Sequence, residues 1–395
     1  MVRTNYALWT YQDAVEHVLD AVAGADTTPR HRRLARRAVQ LAYDKLVNQR
    51  NWSCYYSRLQ LITSPQQTDG TLAYDHTGGA SERLVTLSGA AALTVDVEHF
   101  ELMVNRTRYE VEKYLSPTTF TLSERSNPGA DLPAGTSYVL HRHTYPLPDD
   151  FVAMGQLIDV QVATPHMREA TAGEVLEESR RIASTNLPWL YAIVPHPRLA
   201  GGLAVMLGPT PTTARTYDAV YRRRARPLAV ERYDEGTVSV SAGSSTVTGV
   251  GTSFAAAHAG AILRVSGKAN LLPTSVIGSL DDTDNPALVQ GVIREVSSVT
   301  SLTLEQPAEA SATAMPFTIS DRLDLEAGAM LRAVLRMAEA EYARSAGLES
   351  LADRQRTADL ALLAAAEDDN RTFAEPGQHF WPRRLEDIAT GFTRG

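Results

Sequence analysis

The chain has 395 residues, 44% of them hydrophobic. At about 150 residues per domain, that is enough for two or three cores. Its net charge of −8 and its single cysteine, Cys54, exclude a globally basic nucleic-acid surface, an intrachain disulfide and a cysteine-rich zinc site.

Residues 1–54 read as an N-terminal helical part. Thr10 caps a helix with Asp13 completing a capping box, and Ala14, Val15, Val18, Leu19 and Val22 follow at helical spacing. Gly24 ends it. Pro29 opens a second helix, where its missing N–H costs nothing. Leu34, Ala38, Leu41, Ala42 and Leu46 form the apolar stripe of that helix. Its other face carries His31, Arg32, Arg33, Arg36 and Arg37, a cluster able to meet phosphate, an acidic neighbour or solvent. The N-terminal run through Leu19 carries Asp13 and Glu16 where an export signal needs an apolar stretch, so no such signal is expected. Cys54 is expected to be a small buried apolar residue beside Trp52.

From residue 55 to 150 the period changes to two, which predicts a first β insertion punctuated by Gly70, Gly89 and Pro133. Residues 151–234 predict a central helix, Thr171–Ser184, with Val175, Leu176 and Ile182 on one side. A β-hairpin follows, with Tyr217, Ala219 and Tyr221 in alternation and an exit through Arg222, Arg223 and Arg224. Residues 235–320 predict a second β module. Here the order of strand, break, Leu-Thr-Leu and proline turn from Gly291 echoes the run from Thr107, so the two β segments read as copies of one module. Residues 321–370 predict a C-terminal helical hairpin with Gly347 at its turn. The tail, 371–395, combines Phe373, Phe380, Trp381 and Phe392 with Arg383 and Arg384, a composition suited to docking. The fold class is therefore α+β: a helical scaffold with two inserted antiparallel β modules.

One stretch resembles a catalytic motif. Gly251-Thr252-Ser253-Phe254, with His258 and Gly260, is similar to the nucleophile segment of subtilisin-like proteases. That reading fails on its partners. No His-Gly-x-His occurs upstream, no Asp-Ser/Thr-Gly occurs, and Ala257 stands where the motif needs proline. Walker A, HExxH and GxGxxG are absent as well. His141 and His143 point to one side of a strand as a metal site requires, but no acidic or cysteine ligand follows at suitable spacing, so a surface or interface pair is expected. No catalytic residue, metal or cofactor is assigned.

The same stretch fits another pattern. Residues 235–267, with Val238 to Gly249, Gly251, Phe254 and Ile262-Leu263-Arg264, resemble a β module of tailed-phage structural proteins. The N-terminal helix pair ending in Asn51-Trp52, and the run from Leu207 through Tyr217 and Tyr221 to Arg226-Pro227, resemble head-to-tail adaptor proteins of the podophage tail-tubular-A-like group. The resemblance implies a virion structural protein at the head-tail junction, made in the host cytoplasm and assembled as a dodecameric ring below the portal. It also implies partners: the portal, gripped by the tail; a tail nozzle or hub, or tail fibres, met by the β modules; and genomic double-stranded DNA passing through the bore without specific binding. Arg32, Arg33, Arg36, Arg37, Arg222, Arg223 and Arg224 would then face the DNA or a neighbouring subunit. The rival reading is a fibre-attachment or carbohydrate-binding tail protein, which the β segments favour and the helices at both ends disfavour.

Overall fold

The computed structural model describes residues 8–23, 28–77, 82–161, 167–180, 187–198, 200–273, 287–325 and 328–373. They fall into two compact units, one made of 8–55 with 225–373 and the other of 56–224. Both helices and sheets are present, so the class is α+β.

Helix α1 (Tyr11–Val18) begins as its sequence dictates. The Thr10 hydroxyl accepts from the Asp13 N–H at 3.2 Å, and the Asp13 carboxylate accepts from the Thr10 N–H at 2.9 Å. A π-helical turn, Leu19–Ala23, follows. Helix α2 (Pro29–Gln49) opens on its proline and buries Ala35, Ala38, Val39, Ala42, Tyr43 and Leu46. Leu41, expected in that stripe, is 45% exposed. At about 100° per residue it falls outside the arc that the buried six define.

Strand β1 (Tyr56–Ile62) opens the second unit. The first module then runs β2 (Thr71–Asp75), β3 (Leu84–Ser88), β4 (Glu101–Val104), β5 (Thr107–Ser116), β6 (Thr119–Leu122), β7 (Leu132–Thr136) and β8 (Val139–His141). Its sheet order is β7-β2-β3-β6-β5-β4-β8. After it come β9 (Thr144–Pro146), β10 (Phe151–Met154), β11 (Ile158–Asp159), β12 (Arg168–Glu169), α3 (Ala172–Arg180), β13 (Leu190–Pro195), β14 (Leu203–Gly208) and β15 (Thr216–Arg223).

Two expectations change here. The expected insertion 55–150 loses both ends: β1 pairs with β15, and β9 with β14, in separate four-stranded sheets. The expected hairpin is not one, because β14 pairs with β13 and β9 while β15 pairs with β1, β10 and β11. Alternation marks a strand and its inward face but leaves its partner open. The inward faces themselves are as read: Tyr217, Ala219 and Tyr221 join Leu59, Leu61, Phe151 and Val205 in one core. Helix α3 buries Val175, whereas Leu176 is exposed; Ile182 lies outside the described residues.

The second module, in the other unit, runs β16 (Thr237–Val240), β17 (Thr246–Val250), β18 (Ile262–Ser266), β19 (Ala287–Ser298), β20 (Ser301–Leu304), β21 (Ala312–Met315) and β22 (Phe317–Ser320). Its sheet order, β21-β16-β17-β20-β19-β18-β22, matches the first module strand for strand. Register matches too. Val111↔Leu122 and Ser116↔Thr119 in the first module correspond to Ile293↔Leu304 and Ser298↔Ser301 in the second. The echo visible in sequence from Thr107 and from Gly291 thus extends to all seven strands. Each module also holds a crossed pair of glycines. Gly70 and Gly236 have φ of +81° and +86°, and an added Cβ would overlap the carbonyl oxygen of Ser88 or of Val250. Their opposite numbers, Gly89 and Gly251, both have φ of +71°.

Helix α4 (Ala329–Ala346) ends at Gly347, left-handed at φ +69°, and α5 (Leu351–Phe373) returns beside it. Helices α1, α2, α4 and α5 share one apolar core that includes Trp52, Tyr43, Leu46, Val334 and Tyr342.

Candidate functional site

The strongest concentration of chemistry among the described residues lies in the first module. Pairing of β4 with β8 sets Glu101 opposite His141, and His143 follows just past the strand end. The Glu101 Oε2 lies 3.5 Å from His141 Nε2 and 3.5 Å from His143 Nδ1. The ligand-capable atoms of the three residues all lie within 4.8 Å of one another. The His141 and His143 side chains are 2% and 7% exposed, and that of Glu101 28%.

Sequence reasoning found the two histidines but no acid near them. The acid sits 40 residues upstream of His141 and arrives through strand pairing, which local spacing does not reveal. The pair expected at a surface or interface is instead buried.

Both ring nitrogens of His141 are buried with no hydrogen-bond partner. At 3.5 Å the approach to Glu101 is electrostatic rather than a hydrogen bond of ordinary length. Arg108 on β5 closes the outer side of the carboxylate: its Nη1 lies 3.4 Å from Glu101 Oε2, and its guanidinium also donates to the hydroxyl and the carbonyl of Ser179. Burial pushes the Glu101 carboxyl up, but the flanking His141 and His143 rings and Arg108 outweigh it and hold the group down at about 2. Burial also pushes the His143 imidazole below its ordinary value, against the partial opposition of Glu101. Arg142, between the histidines, turns elsewhere; its Nε donates to the Thr144 carbonyl at 2.9 Å and its guanidinium lies over the Tyr145 ring.

The expected basic cluster divides. Arg32 and Arg36 both pair with the buried carboxylate of Glu231, a structural engagement, while Arg33 and Arg37 are exposed. Arg222 and Arg223 are half-buried at the end of β15, and Arg224 is exposed with its N–H donating to the Asp150 carbonyl at 2.5 Å. The two arginine groups belong to different units. Of the expected docking residues, Phe373 ends α5 with its side chain outside what is described. Phe380, Trp381, Arg383, Arg384 and Phe392 lie outside the described residues altogether.

Ser253 is exposed, and its N–H donates to the Tyr233 hydroxyl at 2.5 Å. His258 Nδ1 accepts from the Ala255 N–H at 3.4 Å, and its ring lies 4.7 Å from that of Tyr233. Phe254 is buried in the module core, as the strand-and-turn reading expects. Arg226 holds the following turn by donating to the carbonyls of Ala257 and Ala259 at 3.1 and 2.5 Å.

No protein-family model matches the chain, and no curated protein sequence matches it.

Proposed function

We propose that the chain is a virion structural protein, a head-to-tail adaptor that forms a ring below the portal, links it to the tail and lets DNA pass through. One observation carries this reading. Helices from both ends of the chain, α1, α2, α4 and α5, meet in a single apolar core, and two β modules of one topology leave the chain between them. On this reading the helices are a scaffold and the modules are insertions that reach the nozzle, hub or fibres. The function is mechanical, and no catalytic step is assigned to Ser253.

Two surface features support the same assembly. Arg33 and Arg37 stand exposed on α2 for contact with a neighbouring subunit. Leu360 and Leu363, one turn apart on α5, are 59% and 60% exposed, and they lead toward the tail segment that would grip the portal. A net charge of −8 suits a conduit, because strong phosphate neutralisation would oppose sliding of DNA.

The duplicated β module is the observation that favours the rival, a fibre-attachment or carbohydrate-binding tail protein. Negative-stain imaging of the protein mixed with its portal separates the two. A ring capping the portal supports the adaptor; a peripheral spike supports the rival; a folded protein that never associates with portal overturns the adaptor reading.

A further inference from the structure

We propose that Glu101, His141 and His143 bind one divalent transition-metal ion, with zinc the best fit. The proposal stands on the geometry of the first module and does not depend on the adaptor reading.

Spacing is the first argument. A tetrahedral zinc ion with bonds of about 2.0–2.1 Å to nitrogen and oxygen holds its ligand atoms roughly 3.3 Å apart. The Glu101 oxygen lies 3.5 Å from a nitrogen of each histidine and all three ligand atoms lie within 4.8 Å of one another, so side-chain adjustment that draws the two rings together brings one ion within reach of all three. The donor set is the second. Two imidazoles and one carboxylate suit zinc and its first-row neighbours, whereas calcium and magnesium call for oxygen ligands. Three protein ligands leave a fourth position for water.

Unmet bonding is the third argument. His141 is almost fully buried, neither ring nitrogen has a hydrogen-bond partner, and only Nε2 has the Glu101 carboxylate near it, at 3.5 Å. An ion pair between Glu101 and Arg108 explains the carboxylate but leaves both nitrogens of that imidazole without a hydrogen bond. A metal at Nε2 gives that nitrogen a partner, and Arg108 then acts as the outer partner that orients a ligating carboxylate.

The molecule supplies its own control. In the second module, where β18 pairs with β22, the register sets Ile262 opposite Ser320 at the positions Glu101 and His141 hold in the first. Ile262 is simply part of a buried strand. The module therefore folds with a hydrocarbon and a hydroxyl at these places. The half-buried acid and the buried imidazole are not demanded by the strand order or the register, and a ligand accounts for them.

The test uses the full-length chain, free of any affinity tag and stripped with a chelator. Cobalt(II) is titrated in and followed by its visible absorption, then displaced by zinc. The expected result is one cobalt per chain with the intense bands of a tetrahedral site. Zinc at a hundredfold excess over its Kd should also raise the melting temperature by about 5 °C. Glu101→Gln, His141→Ala and His143→Ala should each weaken binding by at least ~100-fold, with folding checked by circular dichroism. Should His141→Ala fail to fold, the near-isosteric Glu101→Gln decides. No saturable cobalt signal in the folded wild type, or unchanged affinity in folded Glu101→Gln, overturns the proposal.

Discussion

Arg264 lays two guanidinium nitrogens against the two carboxylate oxygens of Asp13, each at 2.7 Å, and both side chains are buried. The same Asp13 carboxylate caps α1 through the Thr10 N–H, and Arg264 also binds Gln290 at 2.9 Å and the Leu8 carbonyl at 3.1 Å. One aspartate thus fixes both a helix start and a strand of the second module.

Removing one partner of such a pair leaves the other charged and buried. Asp13→Ala should therefore cost about 3–5 kcal/mol. Thr10→Ala removes only a cap hydrogen bond and should cost about 1 kcal/mol. Urea denaturation followed by circular dichroism measures both. Equal losses would mean that the cap, not the ion pair, is what Asp13 supplies.

Glu339 on α4 ties three helices together. It accepts from His17 of α1 at 3.1 Å, from Arg336 at 3.0 Å, and from Arg354 of α5 at 3.1 Å. Burial pushes its carboxyl up, but these partners outweigh burial and hold it below the usual value of 4.5. A depressed carboxylate contributes stability that is present above its unfolded value and lost as pH falls through its folded one. Acid unfolding below pH 4.5 should accordingly be less steep in Glu339→Gln than in the wild type. At pH 7 the variant should lose about 1–3 kcal/mol. An unchanged acid limb would remove Glu339 from the acid response.

The crossed glycines give a matched pair of tests. Gly70→Ala and Gly236→Ala each combine a left-handed backbone with overlap on a carbonyl oxygen. Both should cost more than the ~1–2 kcal/mol of left-handed strain alone. Gly129, at φ +74° with nothing within 4 Å of an added Cβ, should show that strain alone. Thermal melts of the three variants provide the ranking.

Ser253→Ala should leave folding and particle assembly unchanged. Among the described residues its hydroxyl hydrogen-bonds no histidine or carboxylate that could activate it, and a fluorophosphonate probe should leave the wild-type protein unlabelled. Labelling at Ser253 would restore the hydrolase reading.

Deleting 374–395 should leave the melting temperature nearly unchanged and abolish capping of the portal, because aromatic and arginine side chains together suit a docking hot spot. A truncated chain that melts early would place the tail in its own core; one that still caps the portal would end the docking idea.

What the sequence revealed followed the range of the interactions. The Thr10–Asp13 box, Pro29 and Gly347 act within a few residues, and all were legible. Inward faces were legible where alternation was strict, as in Tyr217, Ala219 and Tyr221. Partners were not. Nothing near Tyr56 announces Arg222 opposite it, and nothing near His141 announces Glu101. The module repeat was faint for a related reason. Matched core positions keep apolar character rather than identity, as with Phe120 and Leu302, both buried opposite matched residues of the neighbouring strand.

A chain that carries one topology twice shows at each matched position two residues the backbone accepts. Where both copies hold glycine, at Gly70 with Gly236 and at Gly89 with Gly251, the geometry permits little else. Where they part company, the backbone is indifferent and the site is open to new use. The strand that begins at Glu101 in one copy and at Ile262 in the other is such a place. The first copy has spent it on an acid facing two imidazoles, the second on Arg264 gripping Asp13 where the first keeps Met103. One strand of a shared topology thus serves two separate ends, and grafting residues between the copies would ask how far the fold confines what it can hold.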